Sequence, residues 1–234
     1  MRLRLIIALM VAPSVSAIAQ VGYLPTQSPF REIEHGQYLE VTGGRVFGGG
    51  GLLGLGPRDG TSEGLRWILR GKNTLQFSFG AWTAGTQRFQ IDQADSVATR
   101  NKGLVDHRLI AVEFGTQLNI TGGKTWHGLA PYGAFGLGFV HGQASPATDT
   151  SGYTFGTKIY FAPAIGTRLF AGQRLYLKVE TRALIWSLDY PASYLKEPTK
   201  QPGTATAPNA VNPTGLTSQY TITPEIRIGI GIVL

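Results

Sequence analysis

The chain has 234 residues, enough for one domain, with 42% hydrophobic residues, 15% charged residues, 32 glycines and no cysteine. Lacking cysteine, it has no disulfide framework, thiol nucleophile or cysteine metal site. Charge well under the roughly 25% of an average soluble domain, and glycine at about twice its usual share of roughly 7%, suit an all-β chain better than a helical enzyme. The formal charge of +7 falls to +5 once Arg2 and Arg4 leave with the leader, and the scattered basic residues argue against a nucleic-acid partner.

Residues 1–19 predict a cleaved secretory signal. Arg2 and Arg4 give the charged start, Leu5 to Ala12 the short apolar core, and Ala17 and Ala19 a small-x-small cleavage site before Gln20. That core falls short of the ~20 residues of a spanning helix. No later apolar run is long enough, so a membrane location requires a closed β-barrel, which also satisfies every backbone group in lipid. Residues 20–35 form an N-terminal periplasmic segment in this scheme, and 36–234 the barrel.

From residue 36 onward the pattern has period two, the mark of strands. The first segment, 37–47, sets Leu39 and Val41 against Tyr38, Glu40 and Thr42; a bulge is expected at Gly43–Gly44, and Arg45 falls on the apolar side without explanation. The second sets Leu65, Trp67 and Leu69 against Gly64, Arg66 and Arg70. In the third, Leu75, Phe77, Phe79 and Ala81 oppose Gln76, Ser78, Gly80 and Trp82. The fourth, 108–120, sets Ile110, Val112, Phe114, Leu118 and Ile120 against Ala111, Glu113, Gly115, Gln117 and Asn119. The fifth opposes Leu129, Phe135, Leu137 and Phe139 to Tyr132, Ala134, Gly136 and Gly138. The sixth has Phe161, Pro163, Ile165 and Leu169 against Tyr160, Ala162, Ala164, Gly166 and Arg168. The seventh, 175–186, sets Leu175, Leu177, Val179, Ala183 and Ile185 against Tyr176, Lys178, Glu180, Arg182 and Trp186. The eighth is the clearest: Ile222, Ile226, Ile228, Ile230, Ile232 and Leu234 share one face, with Glu225, Arg227, Gly229 and Gly231 on the other.

Tight turns at 71–74, 121–124 and 171–174 carry the glycine and asparagine that hairpins need. They alternate with long connections at 48–62, 88–107, 141–155 and 189–219. Alternation of this kind predicts an eight-stranded antiparallel up-and-down transmembrane β-barrel, with short turns on the periplasmic side and long loops outside. A soluble lipocalin-like barrel has the same strand count with its faces inverted. The glycine and alanine on the polar face decide between them: a narrow eight-stranded interior needs small residues, a water-facing surface does not. The interior then holds Glu40, Arg66, Arg70, Glu113, Lys178, Glu180, Arg182, Glu225 and Arg227, which must pair or stay hydrated. Glu180 or Lys178 is expected to meet Arg227 or Glu225, and barrel closure to bring Glu40 near Arg227.

Residues 36–234 resemble the small eight-stranded outer-membrane barrels, the group of the OmpA transmembrane domain, OmpX and OmpW. The resemblance rests on the leader, the strand–loop alternation, the run Leu129 to Gly138 and the last strand. It implies an outer-membrane location, contact with outer-membrane lipid and lipopolysaccharide, and assembly by the barrel-assembly machinery, with Ile226, Ile228, Ile230, Ile232 and Leu234 as the C-terminal signal. That signal usually ends in an aromatic, where this chain has Leu234. The sequence stops at the last strand, so no peptidoglycan-binding domain is expected. Such barrels serve as adhesins, anchors, channels and enzymes, so the resemblance gives a fold class without a function.

Chemistry is sparse. No histidine among His35, His107, His127 and His141 has a serine two residues away, as lipid A deacylases of similar architecture do. Pro25 and Pro29 argue against the N-terminal helix of palmitoyl-transferring barrels, and Asp106–His107 reads as a solvated loop end. Gly49, Gly51 and Gly54 fit a dinucleotide-binding pattern, but a turn follows instead of a helix. No catalytic residue, metal or cofactor is expected. The Pro-rich connection at 189–219 is expected to be extended and mobile, with Tyr190, Tyr194 and Tyr220 at the lipid interface, level with Phe47 and Phe89. The expectation is a non-enzymatic barrel with a structural role or an unknown extracellular ligand held by its loops. A narrow solute channel stands as the alternative.

Overall fold

A computed structural model describes residues 28–33, 36–71, 74–144, 149–172 and 174–234. The leader expected at 1–19 lies outside the described residues. Ten strands follow in order: β1 (Phe30–Glu32), β2 (Gln37–Gly49), β3 (Arg58–Arg70), β4 (Leu75–Ile91), β5 (Asn101–Asn119), β6 (Lys124–Trp126), β7 (Leu129–Gly142), β8 (Thr157–Ala171), β9 (Leu175–Asp189) and β10 (Ser218–Val233). The eight long strands pair antiparallel in chain order, and β10 pairs with β2, so the sheet closes without an open edge. Closure lets every strand backbone group find a partner within the sheet, which a hydrocarbon surrounding demands. Among the described residues no helix is long and apolar enough to cross a membrane.

The faces divide as the alternation requires. Side chains such as Val41, Phe79, Phe114, Phe139, Ile165 and Ile228 point outward and are more than half exposed or close to it. The charged side chains Glu40, Lys178, Glu180 and Glu225 are fully buried inside. A soluble barrel would reverse this arrangement.

Pairing continues beyond the hydropathy signal. β4 and β5 run to Ile91 and from Asn101, leaving only 92–100 where the sequence suggested 88–107. Above the apolar belt the outward positions become polar, as at Gln87, Asp106 and Arg108, so hydropathy stops alternating while hydrogen bonding does not. The irregularity expected at Gly43–Gly44 lies instead between Val46 and Gly49. Gly43 and Gly44 pair normally with Glu63 and Ser62, and Gly44 has no room for a side chain, since an added Cβ would lie 2.5 Å from the Ile226 carbonyl oxygen. Arg45 does point outward, its guanidinium 5.8 Å from the Phe47 ring.

The connection between β5 and β7 is wider than a tight turn. Gly122 turns the chain at positive φ, β6 pairs with β1, and His127 and Gly128, both at positive φ, lead into β7. Part of the 20–35 segment thus lies under the lower end of the barrel. Ile33 is buried there, its N–H donating to the Gly123 carbonyl at 3.0 Å.

Candidate functional site

The middle of the barrel is filled by a ladder of charge. Neighbouring strands tilt around the axis, so side chains from distant strands meet across the bore. Lys178 pairs with Glu40, and also with Glu180 at 3.3 Å. Arg66 donates to Glu180 at 3.2 Å and to Glu113 at 3.0 Å, with Glu40 at 3.9 Å. Arg182 bridges Glu113 and Glu225, each at 2.6 Å, and Arg227 reaches Glu225 at 2.6 Å. Each carboxylate also accepts from a hydroxyl: Tyr132 donates to Glu180 at 2.8 Å, Tyr160 to Glu113 at 2.8 Å, Tyr176 to Glu40 at 3.2 Å and Ser62 to Glu225 at 2.5 Å. The Trp82 indole N–H donates in turn to the Tyr160 hydroxyl at 2.7 Å. Buried charges on this scale are tolerable because each carboxylate has both cations and neutral donors around it.

Eight of the nine charges singled out in the sequence meet in this ladder; Arg70 stands apart. It sits at the barrel floor, donating to the Ile33 carbonyl at 2.7 Å, and so holds the N-terminal segment. Two expected pairings do not form. Glu40 lies opposite Gly231 on β10 and meets Lys178 and Arg66 instead of Arg227. Arg227 lies opposite Glu180 in register but its side chain turns to Glu225 on its own strand.

Arg168 belongs to the interior too, although the sequence reading left it out of the set. It is fully buried, yet among the described residues no carboxylate comes within ion-pair distance. Gln76 and Gln117 accept its hydrogen bonds, the former at 2.9 Å. The rings of Tyr132, Tyr176 and Tyr38 surround it at 4.7, 5.5 and 5.8 Å, a cation–π cage in place of a counter-ion.

The inward glycines make this packing possible. Tyr176, Tyr132 and Tyr160 each lie across the glycine directly opposite in register, Gly231, Gly166 and Gly138. A Cβ added there would stand 2.0 to 2.6 Å from the tyrosine ring or its hydroxyl. The ring covers the gap a glycine leaves on the sheet and swings its hydroxyl to a carboxylate. Between these layers, a void of about 10 Å³ near Arg66, Glu113 and Arg182 has room for about one water.

The outer mouth is sealed by different chemistry. The 190–217 connection folds back on the barrel instead of standing extended. It forms a short 3₁₀ turn, Ala192–Leu195, that inserts Tyr194 at 0% exposure. Tyr190, Tyr194 and Val211 pack with Leu55, Tyr153, Phe155 and Leu188 in one apolar cluster. Tyr190 and Tyr194 are therefore core residues and not interface aromatics; Tyr220, at 77% exposure, does face outward. Prolines remove backbone donors that would need partners, and hydrogen bonds tie the connection to its surroundings. Tyr194 donates to the Ile91 carbonyl at 3.0 Å, Arg100 to the Asn209 carbonyl at 2.9 Å, and the Glu197 carboxylate accepts from the N–H groups of Gly203 and Asn209.

Asp95 anchors the same connection by pairing with both Lys102 and Lys200. Their hydrogen bonds hold its carboxyl below the usual aspartate range. Burial pushes the Tyr194 hydroxyl up to about 12, so it donates throughout the physiological range.

The described histidines, His107, His127 and His141, do not form a site. His107 lies within β5, buried against Phe155 with ring centroids 5.7 Å apart, while Asp106 points outward and accepts from Gln87. The pair is thus split across the sheet and is not a loop end. His141 shares a hydrogen bond with Thr157. Among the described residues no group of three or more acidic or histidine side chains converges as a metal site would require.

No protein-family model matches the chain, and a comparison with curated proteins finds no match. Solved structures do match. Neisserial surface protein A aligns over 85% of this chain and 97% of its own, with a TM-score of 0.52 at 13% identity. The outer membrane protein OprG from Pseudomonas aeruginosa aligns over 87% and 98%, with a TM-score of 0.52 at 11% identity. The fold is that of the small eight-stranded outer-membrane barrels. At such low identity the shared property is the barrel, and the ladder, the tyrosine cage and the apical seal are read from this barrel's own residues. The outward Ile226, Ile228, Ile230, Ile232 and Leu234 line the lower wall of β10, each at least 41% exposed.

Proposed function

We propose that the protein is a closed, non-enzymatic barrel of the bacterial outer membrane, delivered by a cleaved signal peptide. It would hold its outer loops as a rigid surface for an extracellular ligand. The observation that carries this reading is the filled bore: the side chains of the charge ladder meet across it, and the void beside Arg66, Glu113 and Arg182 measures about 10 Å³. A tube so filled conducts only if the ladder opens. The apolar belt supports contact with outer-membrane lipid and lipopolysaccharide, and the outward C-terminal isoleucines with Leu234 suit a signal for the barrel-assembly machinery.

Two measurements test the reading. Protein from an outer-membrane fraction should run faster on a gel before boiling than after, as a detergent-resistant barrel does; recovery in the soluble periplasm would overturn it. In a planar bilayer the wild type should show no steady conductance steps. Steady steps that change when Arg182 is replaced by Glu would sink the closed reading in favour of a narrow solute channel.

A further inference from the structure

The apolar belt is not of even height. Counting outward positions up from the lower rim, β9 carries six without a charge, Leu175 to Ile185, and β10 carries six from Ile232 to Ile222. On β2 the run stops after Leu39 and Val41, and Gly43 and Arg45 follow. On β3 it stops after Leu65, and Glu63 and Thr61 follow. The polar patch lies beside the belt and not above it, because Arg45 is directly opposite Ile226, and β10 continues apolar to Ile222.

Among the described residues this patch is only partly paired. Arg45 has no ion pair among the described residues, only the Phe47 ring. Glu63 reaches Arg108 at 4.0 Å, with both side chains more than half exposed. Beside Glu63 and Arg108 a groove of about 810 Å³ runs across the upper parts of β3, β4 and β5, with Gly43 at its edge and Thr61, Gly85 and Asp106 in its lining. A Cβ on Gly43 or Gly85 would meet nothing. Charges on a lipid-facing wall are costly unless something polar covers them.

We infer that this face of β2 and β3 is the seat of a second copy of the same chain, held by reciprocal Arg45–Glu63 pairs. Two barrels inserted in the same sense are related by a two-fold axis parallel to their own axes, so residues of equal height meet. Arg45 and Glu63 are diagonal neighbours, since Arg45 lies opposite Thr61 and Glu63 opposite Gly43. An axis passing between β2 and β3 therefore carries each Arg45 onto the partner copy's Glu63, twice over. Gly43 at the centre lets the two walls approach closely. Both signs of charge on one patch fit a self-complementary contact better than an anionic headgroup.

The inference rests on the membrane-barrel reading, and the experiment separates the two. The full chain, which has no cysteine of its own, is given a single one by Gly43→Cys, where the structure has open space. It is reconstituted in phosphatidylcholine vesicles and oxidised. Gly43→Cys should yield a disulfide-linked dimer, while Ile165→Cys on the opposite wall, 71% exposed, should not. Adding Arg45→Glu or Glu63→Arg should each lower the crosslinked fraction by roughly an order of magnitude, and the double exchange should restore it. Equal crosslinking at both positions, no crosslinking at Gly43→Cys, or a double exchange that restores nothing would overturn the dimer while the gel shift upheld the barrel. Loss of the gel shift in the wild-type protein would overturn the barrel and the dimer together.

Discussion

The bore is closed at two levels, and the two closures work differently. At mid-height, charges from β2, β3, β5, β9 and β10 interlock, so each strand that contributes a charge depends on several others. At the mouth, the 190–217 connection lays tyrosines and aliphatic residues over the strand ends and is tied at its edges by Asp95 and Arg100. Damage to the ladder should therefore be felt by the whole barrel. Damage to the cap should stay local, because the strands beneath are complete without it.

The strongest way to break this comparison is at Glu225, which alone joins Arg182, Arg227 and Ser62. Glu225→Ala leaves buried Arg227 without an ion pair and Arg182 with Glu113 alone, and should cost about 3 to 5 kcal/mol, read as a lower urea midpoint for loss of the gel shift in vesicles. A midpoint equal to wild type would mean that the ladder does not support the barrel. Gly231→Ala should come next. Its Cβ would displace Tyr176, which donates to Glu40, at about 1 to 3 kcal/mol, and a Tyr176→Phe background should soften the loss.

At the mouth, Tyr194→Ala should leave the urea midpoint unchanged while protease cuts within 196–210 become faster. A fall in both would show that cap and barrel unfold as one unit. The smallest effect is that of pH on the Asp95 tie. Its folded pKa is depressed, so the tie contributes above the ordinary aspartate value and is lost as pH falls through the lower folded value. Protection of the 196–210 stretch against hydrogen exchange, taken relative to the intrinsic amide rate at each pH, should fall in acid below the ordinary value and stay level above it. Asp95→Asn should be weakly protected at every pH.

Period-two alternation made most of the frame readable. Leu39 to Val41 on β2, Leu175 to Ile185 on β9 and Ile222 to Leu234 on β10 announce their faces in the sequence itself, and the inward set from Glu40 to Arg227 follows from the same parity. Which carboxylate meets which cation was not readable. Pairing across the bore depends on strand tilt and on side-chain reach, neither of which parity contains; hence Glu40 meets Lys178 and not Arg227. Arg168 was visible on its face, but only three tyrosines from three other strands make its neutral cage meaningful. The apical connection escaped for another reason. Its order comes from single anchors such as Tyr194 and Asn212, and anchors without a period leave no pattern to detect.

The tyrosine cage around Arg168 has a consequence for permeation. In the ladder and the cage stand five cations, Arg66, Arg168, Lys178, Arg182 and Arg227, against four carboxylates, Glu40, Glu113, Glu180 and Glu225, while buried Arg88 nearer the mouth is paired with Asp149. The uncancelled charge sits in a narrow, poorly screened passage, where its field reaches the whole cross-section. Any leak forced through this barrel by voltage would therefore select for anions, and sodium or potassium would be turned back at Arg168.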